Sequence, residues 1–402
     1  MPKLVSLYSG AGGLDLGLEA AGFDTILCVE NDKYCQQTLR LNRPKWKLAD
    51  PPDVFQLDAS QVLAQAGVRR KEVELLAGGP PCQPFSKAGY WLRGDSLRLR
   101  DPRAKTLNAY TKIVAALLPK VILLENVEGI QFSNKDHGLR LLRRHLKRIN
   151  ATFGTKYDPV VFSLNAADFG VPQVRRRVFL VAARNGTRLV PPTPTHGEGR
   201  LPIVTAWDAI GDLESATAGE DLSPKGAWAA LLASIPEGEN YQWHTDRGGG
   251  QPLFGFRTRF WSFLLKLSRH KPSWTIPAEP GPSTGPFHWG NRLLSTRELA
   301  RLQTFSDDYA FCGTRRFVQK QIGNAVPPLL AEIVGREIAR QLLRKQDIHS
   351  QLLYETRTQS NKQSRPLRVS NVPQRYRAFV GSHAAHPGAG KGPGALTRQS
   401  QT

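Results

Sequence analysis

Apolar positions in the first half of the chain repeat with two alternating periods. Residues 4–8 form a short apolar run that ends in Ser9-Gly10-Ala11-Gly12-Gly13. Residues 14–21 then place Leu14, Leu18 and Ala21 on one helical face, closed by Gly22. A second strand is predicted at 25–29, and Asp32 stands where it would cap a helix running to residue 41, ahead of Pro44. Further β-rich runs occur at 54–57, 73–77, 121–124 and 178–182, with helical spacing at 105–118 and 138–149 between them. Strands that alternate with helices predict an α/β fold, with a mostly parallel, doubly wound sheet covered on both faces. Ligands of such sheets sit at the carboxyl ends of the strands.

From about residue 184 to 289 the periodicity weakens, and Pro, Gly, Trp and His become frequent, as in Pro191-Pro192-Thr193-Pro194 and Arg247-Gly248-Gly249-Gly250. This predicts a second, smaller and irregular domain. Helical spacing returns at 296–302 and at 328–343, where Leu329, Ile333, Ile338 and Leu342 can line one face. Beyond Lys345 the chain is polar, carries no acid after Glu355 and reads as a disordered basic tail. The expected organisation is 1–183, 184–290, a returning segment at 291–345, and the tail at 346–402.

Charge narrows the class of partner. Lys and Arg outnumber Asp and Glu by 55 to 34, a formal net charge of +21, which points to a polyanion such as nucleic acid as well as to a merely solvated basic surface. The four cysteines, at 28, 35, 82 and 312, show no C-x-x-C pair, so neither a disulfide framework nor a metal site is suggested. No apolar run approaches the roughly 18 residues of a membrane span, and no signal-peptide layout is present. A cytoplasmic protein with reduced thiols is expected.

Four constellations carry chemistry. The first is the glycine loop from Tyr8 through Gly10, Gly12 and Gly13. A dinucleotide fingerprint would need glycine where Asp15 stands, so a pyrophosphate site, and with it a nicotinamide oxidoreductase, is disfavoured. Glu30 ends the second strand, where an acid commonly accepts from ribose hydroxyls, and Asp58 could accept from an adenine amino group. A glycine loop and two acids without a phosphate cradle suit an adenosyl ligand such as S-adenosyl-L-methionine; a tight turn and two ordinary helix caps would look the same.

The second constellation is Gly78-Gly79-Pro80-Pro81-Cys82-Gln83-Pro84-Phe85-Ser86, where prolines stiffen the turn and aim the Cys82 thiol at a strand's carboxyl end. A basic stretch with Arg93 and Arg98 follows, able to close over a phosphate backbone. The third is Glu125-Asn126-Val127: a carboxylate after an apolar run is costly to bury without a partner. In the fourth, Gln173 to Phe179, Arg175 and Arg177 share a strand face and can reach one site.

In this order these motifs, together with residues 292–305 and Gln321 to Pro328, resemble the bacterial cytosine-5 DNA methyltransferase family over residues 3 to about 342. The resemblance implies a Rossmann-like catalytic domain, a target-recognition domain at 184–290, and a DNA cleft between them. It implies S-adenosyl-L-methionine as methyl donor, S-adenosyl-L-homocysteine as product, and no metal. Cys82 would add to the ring, Glu125 would bind ring N3 and the exocyclic amine, and Arg175 would hold the carbonyl oxygen with Arg177 in support. Asn31, Pro81, Asn324 and Val326 would lie by the cofactor. Gln83, Ser86, Arg93, Arg98, Arg257 and Arg292 would face double-stranded DNA, with Arg247, Arg259, Lys271 and Trp274 as further candidates for sequence choice. A monomer is expected, in or related to a restriction-modification system, with a cognate endonuclease acting on the same site without an obligatory complex. RNA cytosine-5 methylation and a catalytically silent DNA-binding relative remain the competing readings.

Overall fold

The computed structural model describes residues 1–80, 105–127, 137–214, 219–256, 261–345, 351–356 and 365–380. Its first half is a six-stranded sheet in the order β2-β1-β3-β4-β6-β5. The strands are β1 (Lys3–Leu7), β2 (Asp24–Val29), β3 (Leu75–Gly78), β4 (Val121–Asn126), β5 (Val160–Asn165) and β6 (Arg176–Ala183). Helices alternate with them as α1 (Gly13–Ala20), α2 (Lys33–Asn42), α3 (Ala59–Ala66), α4 (Lys105–Leu117) and α5 (His137–Phe153). The central strands are buried along their whole length, as a sheet covered on both faces requires. Alternation then sorts neighbours to opposite layers. Val5, Leu76 and Leu124 join the core under α3, α4 and α5, whereas Leu4, Leu75 and Leu123 join the other core.

That second core is closed from the far end of the sequence. Helices α6 (Ala206–Ile210), α7 (Thr296–Leu302), α8 (Arg315–Asn324) and α9 (Pro328–Leu342) follow the sheet, and Leu329, Leu330, Val334 and Ile338 of α9 pack with Leu14 and Leu18 of α1. Gly17 makes the approach possible: a Cβ there would stand 2.3 Å from the Pro328 carbonyl oxygen.

The sheet is not wholly parallel. β6 runs antiparallel to both β4 and β5, with Glu125 opposite Phe179 and Asn126 opposite Val178. Its reversal has a consequence for the site: the start of β6 lies at the carboxyl edge of the parallel strands, so Arg176 and Arg177 arrive beside the end of β4.

Other expectations need correcting. Residues 54–57 form turns rather than a strand, while α3, β5 and α8 appear where no element was expected. The irregular region does lack regular strands among its described residues, but its packing does not respect the expected boundary. Trp207 and Ile210 lie in one cluster with Leu16, Leu299, Leu302 and Ile322. The described part of the tail is folded onto the body. Leu353 and Tyr354 donate backbone N–H groups to the buried carboxylate of Glu332. Residues 365–380 end in a short helix, α10 (Gln374–Arg377), whose Tyr376 is buried with Leu231, Ile235 and Tyr241. No helix among the described residues is long and apolar enough to cross a membrane.

Candidate active site

The glycine loop joins β1 to α1 with positive φ at Tyr8, Gly10 and Gly12. Glu30, at the end of β2, holds it from below. One carboxylate oxygen accepts from the Gly10 N–H at 2.7 Å and the other from the Asp32 N–H at 2.7 Å. Burial raises the Glu30 pKa, and these two backbone donors work against the rise. The Tyr8 hydroxyl donates to the Thr106 carbonyl at 2.8 Å. Asn31 is exposed beside the loop, and a Cβ at Gly10 would meet no atom within 4 Å, so the loop borders open space. Gly13 has a different task, lying against Val326, whose carbonyl oxygen would be 2.4 Å from a Cβ there. Asn324, at the end of α8, is exposed.

Asp58 is the N-cap of α3 and part of a capping box with Gln61. Its Oδ1 accepts from Ser60 at 2.7 Å and from the Gln61 N–H at 2.8 Å, and the Ser60 bond leads in holding its pKa down. The cap is thus a visible role for this acid.

At the carboxyl edge of the sheet, β3 ends in Gly78 and runs through Gly79 to Pro80, the last described residue before the motif cysteine. Cys82, Pro81, Gln83, Ser86, Arg93 and Arg98 lie outside the described residues, as do Arg257 and Arg259. What surrounds the motif is visible. The Asn126 side chain donates to the Pro80 carbonyl at 3.2 Å, tying β4 to the proline turn. A Cβ at Gly79 would come within 3.2 Å of a Glu125 carboxylate oxygen, so that glycine leaves room for the acid.

Glu125 is 8% exposed and ion-paired to the Arg177 Nε at 2.9 Å. Burial raises the Glu125 pKa, with Arg177 and then Arg175 opposing. Arg175 is fully buried and donates to the carbonyls of Gly323 at 2.7 Å and Ala325 at 2.9 Å. Both guanidinium groups thus act on Glu125, Arg177 by direct contact and Arg175 through its charge. Arg177 stands with Glu125, while Arg175 binds the turn between α8 and α9.

Arg292 grips the buried Glu298 with two bonds of 2.7 Å each. Arg247 stacks over Phe256, 3.7 Å from the ring centroid. Lys271 is exposed.

Some residues named in the sequence only as members of a motif or as candidates take a definite place here. Gln173 is buried and donates to the Leu302 carbonyl at 3.1 Å and the Gln303 side chain at 3.0 Å, while accepting from the Ile276 N–H at 3.2 Å. It thus joins the approach to β6 with α7 and the irregular region. Thr275 donates to the Val174 carbonyl at 2.7 Å, which sets the exposed Trp274 next to β6 and 4.8 Å from Trp261, centroid to centroid. A buried amide carries no periodic signal; the exposed tryptophan pair is a signal only once the fold brings its members together. Among the described residues no group of His, Cys, Asp and Glu is arranged to hold a metal ion.

Comparison with known proteins bears on this arrangement. The family model described as "C-5 cytosine-specific DNA methylase" matches residues 2–340. The chain is 35% identical over 372 residues to the Type II methyltransferase M.SacI of Streptomyces achromogenes, covering 84% of this chain and 93% of that one. It is 31% identical to the Type II methyltransferase M1.HphI of Haemophilus parahaemolyticus, over 84% and 86% of the two chains. Among solved structures, a Spodoptera frugiperda DNMT2 variant shares the fold with a TM-score of 0.58 at 16% identity, over 85% of this chain and 100% of that one. A protein encoded in an Escherichia coli prophage and described as a DNA modification methyltransferase does so at 0.62 and 22%, over 85% and 100%. The chain belongs to the C-5 cytosine-specific DNA methylase family, and its reaction is methyl transfer to carbon 5 of cytosine in DNA.

Proposed function

We propose that this enzyme methylates a flipped-out cytosine within a defined double-stranded sequence, using Cys82 as a covalent catalyst and S-adenosyl-L-methionine as donor. The observation that carries the reading is the buried Glu125–Arg177 pair at the sheet's carboxyl edge, with Asn126 fastening the same strand to the turn that leads into Cys82.

The residues present suit an adenosyl ligand. Gly10 borders open space above the loop, and each oxygen of the half-buried Glu30 carboxylate takes one backbone N–H, keeping acceptor capacity for ribose hydroxyls; Tyr8 would lend its ring. Gly12 and Gly13 shape the loop, and Asn31, Asp58, Pro81, Asn324 and Val326 would surround the rest. When bound, the group supplies an electrophilic methyl on sulfur and leaves as S-adenosyl-L-homocysteine.

The chain does the remainder. A cytosine inside a duplex is out of reach, so it is extruded at a cost of about a few kcal/mol. The Cys82 thiolate adds to carbon 6, which makes carbon 5 nucleophilic. Glu125, whose burial favours the protonated form, shares its proton with ring N3 and accepts from the exocyclic amine as charge develops. Arg177 keeps Glu125 in place and supports the ring's carbonyl oxygen. A base then takes the carbon 5 proton, and the electron pair expels the thiolate. The exposed Trp261 and Trp274 rings, 4.8 Å apart, would stack against DNA. Likeness to Type II methyltransferases supports a place in a restriction-modification system; we further propose that the enzyme acts inside the cell as a monomer, with an endonuclease as a separate protein.

Duplex DNA carrying 5-fluorocytosine tests the mechanism. A covalent complex is expected with the native protein and none with Cys82→Ser, whereas absence of a complex with the native protein would overturn it. Bisulfite sequencing of DNA from a methylation-free host expressing the chain gives the recognition sequence. Methylation of transfer RNA but not of duplex DNA would replace DNA by RNA as substrate.

A further inference from the structure

Helix α5 carries Arg140, Arg143, Arg144, Lys147 and Arg148, all exposed and spaced i, i+3, i+4, i+7, i+8, so they form one unbroken stripe. The helix contains no acidic residue. Arg143, Arg144, Lys147 and Arg148 form no ion pair among the described residues. Its opposite face, Leu142, Leu146 and Ile149, is buried in the core beneath the sheet.

The stripe is poorly arranged for the helix itself. Like charges four residues apart repel, and cations in the first turns oppose the helix dipole. Acidic side chains on neighbouring elements are taken elsewhere: Glu72 pairs with Arg69, Glu74 with Lys120 and Asp158 with Arg188. The field is felt locally. His145 on the same helix, bonded to Thr111 of α4 at 2.7 Å, has its pKa lowered by burial first and then by Arg148 and Arg144. Exposed Lys112, next in sequence to Thr111, widens the basic area.

The direction of the stripe is fixed by topology. The carboxyl end of α5 lies at the amino edge of the strands, where Arg70 sits over the Phe153 ring at 5.1 Å just ahead of β3. Arg140 therefore lies toward the carboxyl edge, where Glu125 and Arg177 stand, and the stripe leads away from it over about 12 Å. A duplex presents one phosphate charge per roughly 1.7 Å of axis, so about seven charges fall within that length.

We propose that the α5 stripe is a second DNA-binding surface, which takes the phosphate backbone of duplex outside the recognition sequence. The inference rests on the reading of the chain as a duplex-DNA enzyme. It adds that affinity depends on the length of flanking DNA, through contacts blind to sequence.

Binding measured by fluorescence anisotropy across a range of salt tests it, with a duplex just covering the recognition sequence and one extending to about 40 base pairs. For the native protein the slope of log affinity against log salt is expected to be steeper on the long duplex by roughly 3, about 0.9 for each phosphate neutralised. A variant carrying Arg143→Gln, Arg144→Gln, Lys147→Gln and Arg148→Gln is expected to show one slope on both. A variant with Arg143→Lys, Arg144→Lys and Arg148→Lys keeps the charge and should keep the excess. Equal slopes for the native protein, an excess that survives in the glutamine variant, or a gain for RNA alone would overturn the proposal. Methyl transfer to the short duplex, followed alongside, tests the activity separately, because the slopes report binding alone.

Discussion

A guanidinium beside a buried site either meets the substrate or braces the wall around it, and the partners of Arg175 and Arg177 separate these two tasks. Arg177 touches Glu125; one terminal nitrogen of Arg175 donates to the carbonyls of Gly323 and Ala325. Arg177→Ala is expected to slow single-turnover methyl transfer roughly 10²–10³-fold with little change in melting temperature. Arg175→Ala leaves buried carbonyls without their donor and is expected to cost about 2–3 kcal/mol in denaturant unfolding. A catalytic loss at unchanged stability in the Arg175 variant would show that Arg175 serves the substrate directly. Asp15 makes a different argument at the same scale. It is wholly buried, and burial raises its pKa from 3.8 to about 7. A carboxyl whose folded pKa is raised favours folding in its protonated form, and stability is lost as pH climbs from the unfolded value through the folded one. Relative to Asp15→Asn, the native protein should be level below about pH 4, lose ground up to about pH 7 and hold a constant deficit beyond, at most about 4 kcal/mol in all. A difference in stability that does not vary with pH would show that burial leaves the Asp15 pKa at its unfolded value.

Between elements, the crossing of α1 and α9 is the contact most sensitive to a small change. Besides the Pro328 carbonyl, a Cβ on Gly17 would meet Ala331 Cβ at 2.5 Å. Gly17→Ala is expected to destabilise by about 1–3 kcal/mol, read from chemical denaturation. An unchanged midpoint would mean that the two helices shift apart freely. The sequence told a good deal at this scale, for physical reasons that differ from one element to the next. α7 was found at its observed bounds, because Ser295 and Glu298 form a capping box ahead of a clear apolar face. α3 was missed although Asp58 and Gln61 form the same device, because Val62 is its one buried residue and leaves no stripe. In β5 the alternation of buried Phe162, exposed Ser163 and buried Leu164 marks a half-buried edge strand, a signal present but brief. The reversal of β6 could not be read at all, since local pattern carries no strand direction. Glu125 stood out as an acid closing an apolar run. Asn126 and Gln173 did not, because a buried amide is recognisable only with its partners in place. Arg292 looked like a surface cation until Glu298 was seen beneath it.

At the scale of the whole molecule, composition misled about residues 365–380. The Tyr376 ring stacks on Trp228 at 5.5 Å and its hydroxyl donates to the Ala227 carbonyl at 2.8 Å, while Phe379 lies 5.2 Å from the same tryptophan. Four arginines and no acid describe the segment's solvent side; a few aromatic contacts decide where it rests. A chain ending at residue 364 loses the burial of Tyr376, about 2–3 kcal/mol. Its melting temperature is expected to fall by roughly 2–4 °C, with a red shift of tryptophan emission. Unchanged melting and emission would return the segment to the status of a passive tail.

The return of α9 onto α1 also governs how this protein can be made. The Tyr309 hydroxyl bonds the Ala11 carbonyl across 298 positions of sequence, and the helix that covers α1 comes later still. During synthesis the glycine loop and the apolar face of Leu14 and Leu18 leave the ribosome long before anything exists to cover them. The irregular region is translated in that interval and can gather its own core of Leu231, Tyr241 and Leu253 while the sheet stays open on one side. That flank of the sheet therefore stays open until α9 has been translated, and nascent chains stalled short of Pro328 have an adhesive flank that chaperones or aggregation would claim.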